Sequence, residues 1–205
     1  QSDELVIDVI AYPDIVANAA ALTSDYHQAE RSYKGRLRIG GAKLSLDGSP
    51  QAKTAWLRDP YFIPPHGAVE GYRGYPAISA ARAEELAARA FASRIQLLCH
   101  ANGDAAIDQF IDAVVGARRD NDYIDHRSVL VHGQLLRSDQ VMRLAANRIL
   151  PSLFPAHTFY WGDFHRQSVL GAERASRISP CRDVLRAGAV WPIGLVGLGS
   201  EAGAA

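Results

Sequence analysis

Apolar positions along the chain fall into two kinds of segment, short runs of aliphatic residues and longer stretches in which they recur at helical spacing. LVIDVIAY, Leu5 to Tyr12, is a β-branched run that stops at Pro13, the pattern of a buried strand. A helix-like stretch follows. Leu37 to Asp47 is a second strand with a definite parity: Leu44 and Leu46 face one side, Lys43, Ser45 and Asp47 the other. Arg58 to Pro76 mixes Pro, Gly and aromatics without a period, which predicts a long loop, and loops of that length commonly serve a site as a lid. Ser79 to Ser93 returns to helical spacing, IQLLCHANGD reads as a strand running into a polar turn, and Ala105 to Arg118 is helical again. Ser128 to His132 predicts a strand ending at HGQ, Ser138 an N-cap opening a helix, and Ile149 to Phe154 a further strand. Cys181 to Ala187 predicts a short helix and Val190 to Leu198 a last apolar run.

Strands near positions 5, 40, 96, 129, 150 and 194, separated mostly by helices, describe a parallel α/β fold. Six such units fit a partial TIM (β/α)8-like barrel two units short of closure. Residues 1–205 are read as one domain, with the Gly/Ala-rich stretch 199–205 as a flexible tail. Neither an internal repeat nor another low-complexity tract interrupts it.

Composition narrows the partners. Twenty-two basic and 22 acidic residues balance to a net charge of zero, so nothing drives the chain toward nucleic acid or an acidic membrane, and a small-molecule ligand fits better. Cys99 and Cys181, far apart in apolar surroundings, point to a reducing compartment, the cytoplasm, rather than a disulfide framework. No apolar stretch approaches the roughly 18 residues of a membrane-spanning helix.

Parallel α/β folds gather functional groups where strands end and the following loops open. Lys43, His100, His132 and His157 pass this filter, whereas His27, His66, His126 and His165 fall in helices or loops. His100 leaves an apolar strand and enters the turn Ala101-Asn102-Gly103-Asp104, and His132 in VLVHGQ repeats that placement one βα unit later. One strand-end histidine is readily explained by a backbone hydrogen bond, but two in consecutive units point to a shared ligand. Lys43, one of three lysines, stands on the polar face of an apolar strand. It either reaches solvent, pairs with Asp47, or reacts with carbon dioxide to give a carbamate whose oxygens bridge metal ions. Asp47 and Asp104 follow strands and serve equally as helix caps, as supports for a neighbouring ligand, or in touching metal, and both are carried as substrate contacts. His157, in FPAHTFYWGDFH, is read as part of an aromatic loop, either packed or forming a substrate-contacting wall. Cys99, beside His100, points the opposite way into the core.

Four strings, IGGAKLSLDGSPQAKTAWL, LLCHANGDAAID, RSVLVHGQLLRSDQ and SLFPAHTFYWGDFH, taken in order, resemble the amidohydrolase superfamily, and within it the YtcJ-like branch that includes N-substituted formamide deformylases. The resemblance covers about residues 5 to 190. It implies a distorted barrel with a divalent metal, typically zinc, at the C-terminal face of the strands. It matches Lys43 to the metal-bridging lysine of the fourth strand, His100 to the fifth-strand histidine and His132 to the sixth-strand histidine, and it implies hydrolysis of a non-peptide C–N bond by metal-activated water. In such proteins a His-x-His pair on the first strand and an aspartate on the eighth complete the site. This sequence has no His-x-His, so the resemblance implies strands three to eight of the barrel. After the last strand it reads WPIGLVGLGSEAGAA, where Glu201 is a poor substitute for the aspartate.

The leading expectation is a metal-dependent amidohydrolase acting on small-molecule amides or formamides. A second is a catalytically incomplete chain stabilised as a homo-oligomer, because an open sheet must cover its edges. A third, an unrelated α/β phosphate binder, is disfavoured because GxGxxG is absent.

Overall fold

The computed structural model describes residues 5–20 and 33–189. His27, the apolar run 190–198, the tail 199–205 and Glu201 lie outside them. Strand β1 (Val9–Ala11) pairs in parallel with β2 (Leu37–Ile39). Strands β3 (Ala42–Ser45), β4 (Leu97–Ala101), β5 (Val129–His132) and β6 (Leu150–Leu153) form a parallel sheet in that spatial order. The two sheets are joined at Lys43, whose amide donates to Pro13 O and whose carbonyl accepts from Ile15 N, so the segment after β1 lines up beside β3.

The predicted strand Leu37–Asp47 is therefore two strands. Gly40 and Gly41 interrupt it because the chain there runs against neighbouring atoms: a Cβ at Gly41 would lie 2.5 Å from Gln96 O. The first strand is also shorter than its apolar run, Val9–Ala11 rather than Leu5–Tyr12. Beyond Pro13 the chain keeps one bridge to β3, but its apolar run starts among exposed residues, with Val6 88% and Ile7 67% accessible.

Helices α1 (Ala80–Ala92) and α2 (Asp104–Asp120) follow β3 and β4 and pack side by side on one face of the sheet. The buried positions of α1, Ala83, Leu86, Ala87, Ala90 and Phe91, recur every three to four residues as one helical stripe requires. Ser79 caps it, its hydroxyl accepting from Arg82 N at 3.2 Å. Helix α3 (Ser138–Ala146) opens one residue earlier than expected: Arg137 is the cap residue, and Gln140 Oε1 takes its amide at 3.0 Å while Ser138 begins the first turn. The segment 58–76 forms no helix or strand, as predicted, and its Tyr61 packs with Val169 and Leu170.

The stretch read as an aromatic loop is instead helix α4 (Ala156–Phe164), continued by a π-helical turn, His165–Val169. Its apolar residues cover most of the helix rather than one stripe, which hid the helical period. Helices α5 (Gly171–Ala175) and α6 (Cys181–Arg186) complete the described residues.

Register decides what each face of the sheet carries. Leu44, Cys99 and Leu130 are lateral neighbours, and all three are fully buried under the helices. The opposite face carries Lys43, Leu98 and Val129 in one row and Ser45, His100, Val131 and Ser152 in the next. That face is where a barrel would place its interior, and most of it is half-buried. Cys99 is buried on the helix side as parity requires, its thiol pushed up by desolvation, and both cysteines are free.

Candidate active site

Ser45 pairs with His100, and Ala101 with His132, so the two histidines end adjacent strands one row apart. Strict alternation would send them to opposite faces, since His132 shares parity with the buried Leu130. The backbone resolves the conflict. His132 adopts φ +75°, a left-handed conformation uncommon for a side-chain-bearing residue, and Gly133 follows at +52°. With the chain turned in this way, the imidazoles of His100 and His132 meet edge to face, centroids 4.8 Å apart. Lys43 lies on the same face as His100, one pleat repeat back from Ser45.

His100 is held from below. Its Nε2 lies 3.0 Å from Gly48 O and 3.1 Å from Asn102 Nδ2. A hydrogen on Nε2, given to that carbonyl, leaves Nδ1 as the lone-pair nitrogen, the arrangement in which a backbone acceptor orients a ligating imidazole. Asp47 Oδ1 stands 3.6 Å from the same Nε2. The carboxylate of Asp47 accepts from Trp56 N at 3.0 Å, Asn102 N at 3.0 Å and Gly103 N at 2.8 Å. It thus stitches the loop after β3 to the N-terminus of α2 and fixes the turn that His100 enters. Burial pushes its carboxyl up to about 6, against the pull of those three amides and of His100.

Asp104 occupies the first turn of α2 and accepts from Arg58 N at 2.9 Å and Arg137 Nη1 at 3.2 Å. With Arg137, Asp139 and Arg174 it lines a cavity of about 300 Å³ between the helix N-termini. Its observed work is to tie α2 to the 58–76 loop and to α3.

His157 is buried in the first turn of α4, which follows β6 directly. Its Nδ1 lies 3.3 Å from Nε2 of His165, also fully buried, and the rings cross at 77°. Desolvation holds both imidazoles down to about 4, and His165 and His132 add to the effect on His157. His165 fell outside the strand-end filter because it lies eight residues into the aromatic stretch. Its spacing from His157 is the signal that finds it, since on one helix two residues eight apart share a face. His126, by contrast, is a structural histidine bonded to Ser128 Oγ and Asn147 O, and His66 is exposed.

Two imidazoles at strand ends, with a lysine on the same face, suit the nitrogen-rich half of a divalent metal site in their chemistry. Among the described residues no group of three or more His, Cys, Asp or Glu side chains is placed to hold a metal ion. The described site is therefore a histidine pair and a lysine rather than a closed set of ligands. No helix among those residues is long and apolar enough to cross a membrane.

Similarity follows the same outline. Two solved structures described as uncharacterized metal-dependent hydrolases superimpose on the chain. The one from Pyrococcus horikoshii OT3 does so with a TM-score of 0.69 at 26% identity, covering 90% of this chain and 35% of its own. The one from Pyrococcus furiosus gives 0.68 at 27% identity, covering 89% and 35%. The chain thus spans about a third of the length of these structures. No curated protein matches it. The parallel sheet with histidines at consecutive strand ends accords with the amidohydrolase family, whose model matches residues 1–194, and to that family the chain belongs.

Proposed function

We propose that the chain acts as a metal-dependent hydrolase of non-peptide C–N bonds, with small amides or formamides as substrates. The observation that carries this reading is the meeting of His100 and His132 at 4.8 Å, achieved by a left-handed backbone at His132. Strain of that kind persists where surrounding structure enforces it, and it clusters at functional sites.

His100 and His132 would hold a divalent ion, zinc by the family's habit. Lys43 would join them as a carbamate, supplying an anionic oxygen. Such an ion, when bound, lowers the pKa of water and polarises a carbonyl. The chain's own residues prepare the place for it: Gly48 O orients the His100 ring, and Asp47 fixes the turn beneath it. The base that the resemblance assigns to the eighth strand falls outside the described residues.

Metal analysis after incubation with zinc tests the assignment. Stoichiometric uptake that falls in His100→Ala and in His132→Ala is expected, and unchanged stoichiometry in both variants removes the metal role. After equilibration with 13C-bicarbonate, a carbamate resonance lost in Lys43→Ala is expected.

A second reading, association with another copy of the chain, is favoured by one observation. Helix α4 exposes Phe159 at 87% and Tyr160 at 76%, and among the described residues no strand pairs with the far edge of β6. Light scattering that gives a monomer at micromolar concentration would count against it.

A further inference from the structure

Where α2, α3 and α6 begin, the chain leaves a cavity of about 300 Å³, the volume of roughly ten liquid waters. Its walls are held in place. Leu135 N donates to Asn102 O at 3.0 Å and Ser179 N to Gln134 O at 2.9 Å, so the segment after β5 is tied both to the turn before α2 and to the residue before Pro180. Ser179 takes φ +50°, a left-handed angle uncommon for a serine and more so ahead of proline. Such strain survives only where neighbouring structure enforces it, and here it puts Pro180 in the cavity wall with Leu135.

The charges that line the cavity are unevenly paired. Arg137 is matched by Asp104 and Asp139. Arg174 pairs with no carboxylate among the described residues, because its three hydrogen bonds go to backbone carbonyls: Leu170 O at 3.0 Å, Asp59 O at 3.3 Å and Pro60 O at 2.6 Å. A guanidinium has five N–H donors, so this anchoring fixes its plane and leaves one donor on each terminal nitrogen. Two donors on neighbouring nitrogens suit the two oxygens of a carboxylate. Asp59 supplies the opposite sign. Its carbonyl holds it against Arg174, yet its carboxylate makes no hydrogen bond or ion pair among the described residues. Asp183, in the first turn of α6, adds a second unpaired carboxylate to the same wall.

We propose that this cavity binds a free α-amino acid with an apolar side chain, its carboxylate on Arg174 and its ammonium on Asp59. A cation and an anion on touching residues that line one cavity without pairing are both satisfied by a ligand that carries the two opposite charges close together, and an α-amino acid carries them on one carbon. Leu135 and Pro180 offer its side chain an apolar wall, in the usual pattern of a small-molecule site with a few fixed polar groups. The cavity shares no lining residue with Lys43, His100 and His132, so the site stands whether or not those residues hold a metal.

The test is titration of the full chain with L-leucine, followed in 1H–15N correlation spectra. Saturable shifts are expected at the amides of 135–138 and 181–183, while those of α1 stay. Two probes of the same skeleton, 4-methylpentanoate without the amine and 3-methylbutylamine without the carboxylate, should each bind at least tenfold more weakly, the scale of one charged hydrogen bond. Asp59→Asn changes an exposed side chain and leaves the backbone contact to Arg174 in place. It should weaken leucine binding roughly tenfold, bind 4-methylpentanoate no more weakly than the wild type, and take up zinc as the wild type does. Arg174→Lys, which cannot hold three carbonyls and a carboxylate at once, should lose both leucine and 4-methylpentanoate; should that variant fold poorly, Asp59→Asn and the two single-charge probes decide. Absence of saturable shifts with leucine, 4-methylpentanoate binding as tightly as leucine, or leucine affinity unchanged in Asp59→Asn would each overturn the proposal.

Discussion

His100 and His132 sit on adjacent strands with opposite parity, yet their rings touch, because His132 has left the strand conformation at φ +75°. An L-residue held there is strained by roughly 1–2 kcal/mol, and glycine is not. His132→Gly and His132→Ala both delete the imidazole, so both should lose zinc uptake to the same extent. They should differ in stability: the glycine variant is expected to be about 1 kcal/mol more stable than the alanine variant in urea denaturation. Equal stability would show that the left-handed backbone carries no strain at this position.

The turn after β4 depends on a close approach. A Cβ at Gly103 would lie 1.9 Å from Trp56 O and 2.5 Å from its carbonyl carbon, although the backbone angles there suit any residue. Gly103→Ala must push the 56 loop away from α2 and pull apart the amides that Asp47 gathers, at a cost of about 2–3 kcal/mol or more. Gly116, inside α2 with open space where its Cβ would be, is the control. Gly116→Ala is expected to stabilise by about 0.5–1 kcal/mol through helix propensity. Denaturation midpoints at constant slope measure both.

Arg137 ties two helices together. Its guanidinium meets Asp104 of α2 at 3.2 Å, Asp108 of α2 at 3.2 Å and Asp139 of α3 at 2.8 Å, and Arg143 adds a second link to Asp108 at 2.9 Å. A lone exposed pair would contribute little, but this guanidinium is a quarter accessible and shared among carboxylates. Arg137→Met, which keeps the apolar stem, should cost on the order of 1 kcal/mol at low salt and less as ionic strength rises. A cost that does not change with salt would assign the effect to packing.

The periodic parts of this fold were readable. Helices α1 and α2, strands β4, β5 and β6, and the parity that puts Lys43 opposite Leu44 all follow from alternation and helical spacing. Three features were not. The break at Gly40–Gly41 comes from atoms of Gln96, more than 50 residues away, and local propensity contains no trace of that approach. Helix α4 was hidden because an aromatic-rich segment with little amphipathicity has no period to detect. That His100 and His132 lie near each other was expected from their strand-end positions, yet the ring-to-ring contact and the left-handed angle that makes it were not, because nothing in VLVHGQ except the following glycine announces it. Asp47 was placed among several equal roles. Its three backbone donors, one nine residues on and two beyond β4, show it holding the turn that His100 enters.

The buried histidines should make acid the weak side of this protein. His157 and His165 each titrate near 4 in the fold, against about 6.5 for a free imidazole, so in the folded state both stay neutral where the unfolded chain already binds protons. Above pH 6.5 the two states carry the same charge at these positions and no stability is at stake. As pH falls through the interval from 6.5 to 4, the unfolded state gains protons that the native state refuses, and stability falls with it. Full burial of both rings would give the largest effect, but their contact means that charging one opposes charging the other. Allowing also for solvent that reaches the rings as the fold loosens, the pair should cost on the order of 2–4 kcal/mol across the interval. His126, lowered mainly by its own burial, adds in the same direction. Urea denaturation at pH 7.5 and pH 4.5 measures the loss, and the same comparison in His157→Phe/His165→Leu separates the contributions. The double variant should keep only the part of the slope due to His126 and the carboxylates. A slope as steep as that of the wild type would mean that the two rings are protonated in the native state, with their outer nitrogens open to water.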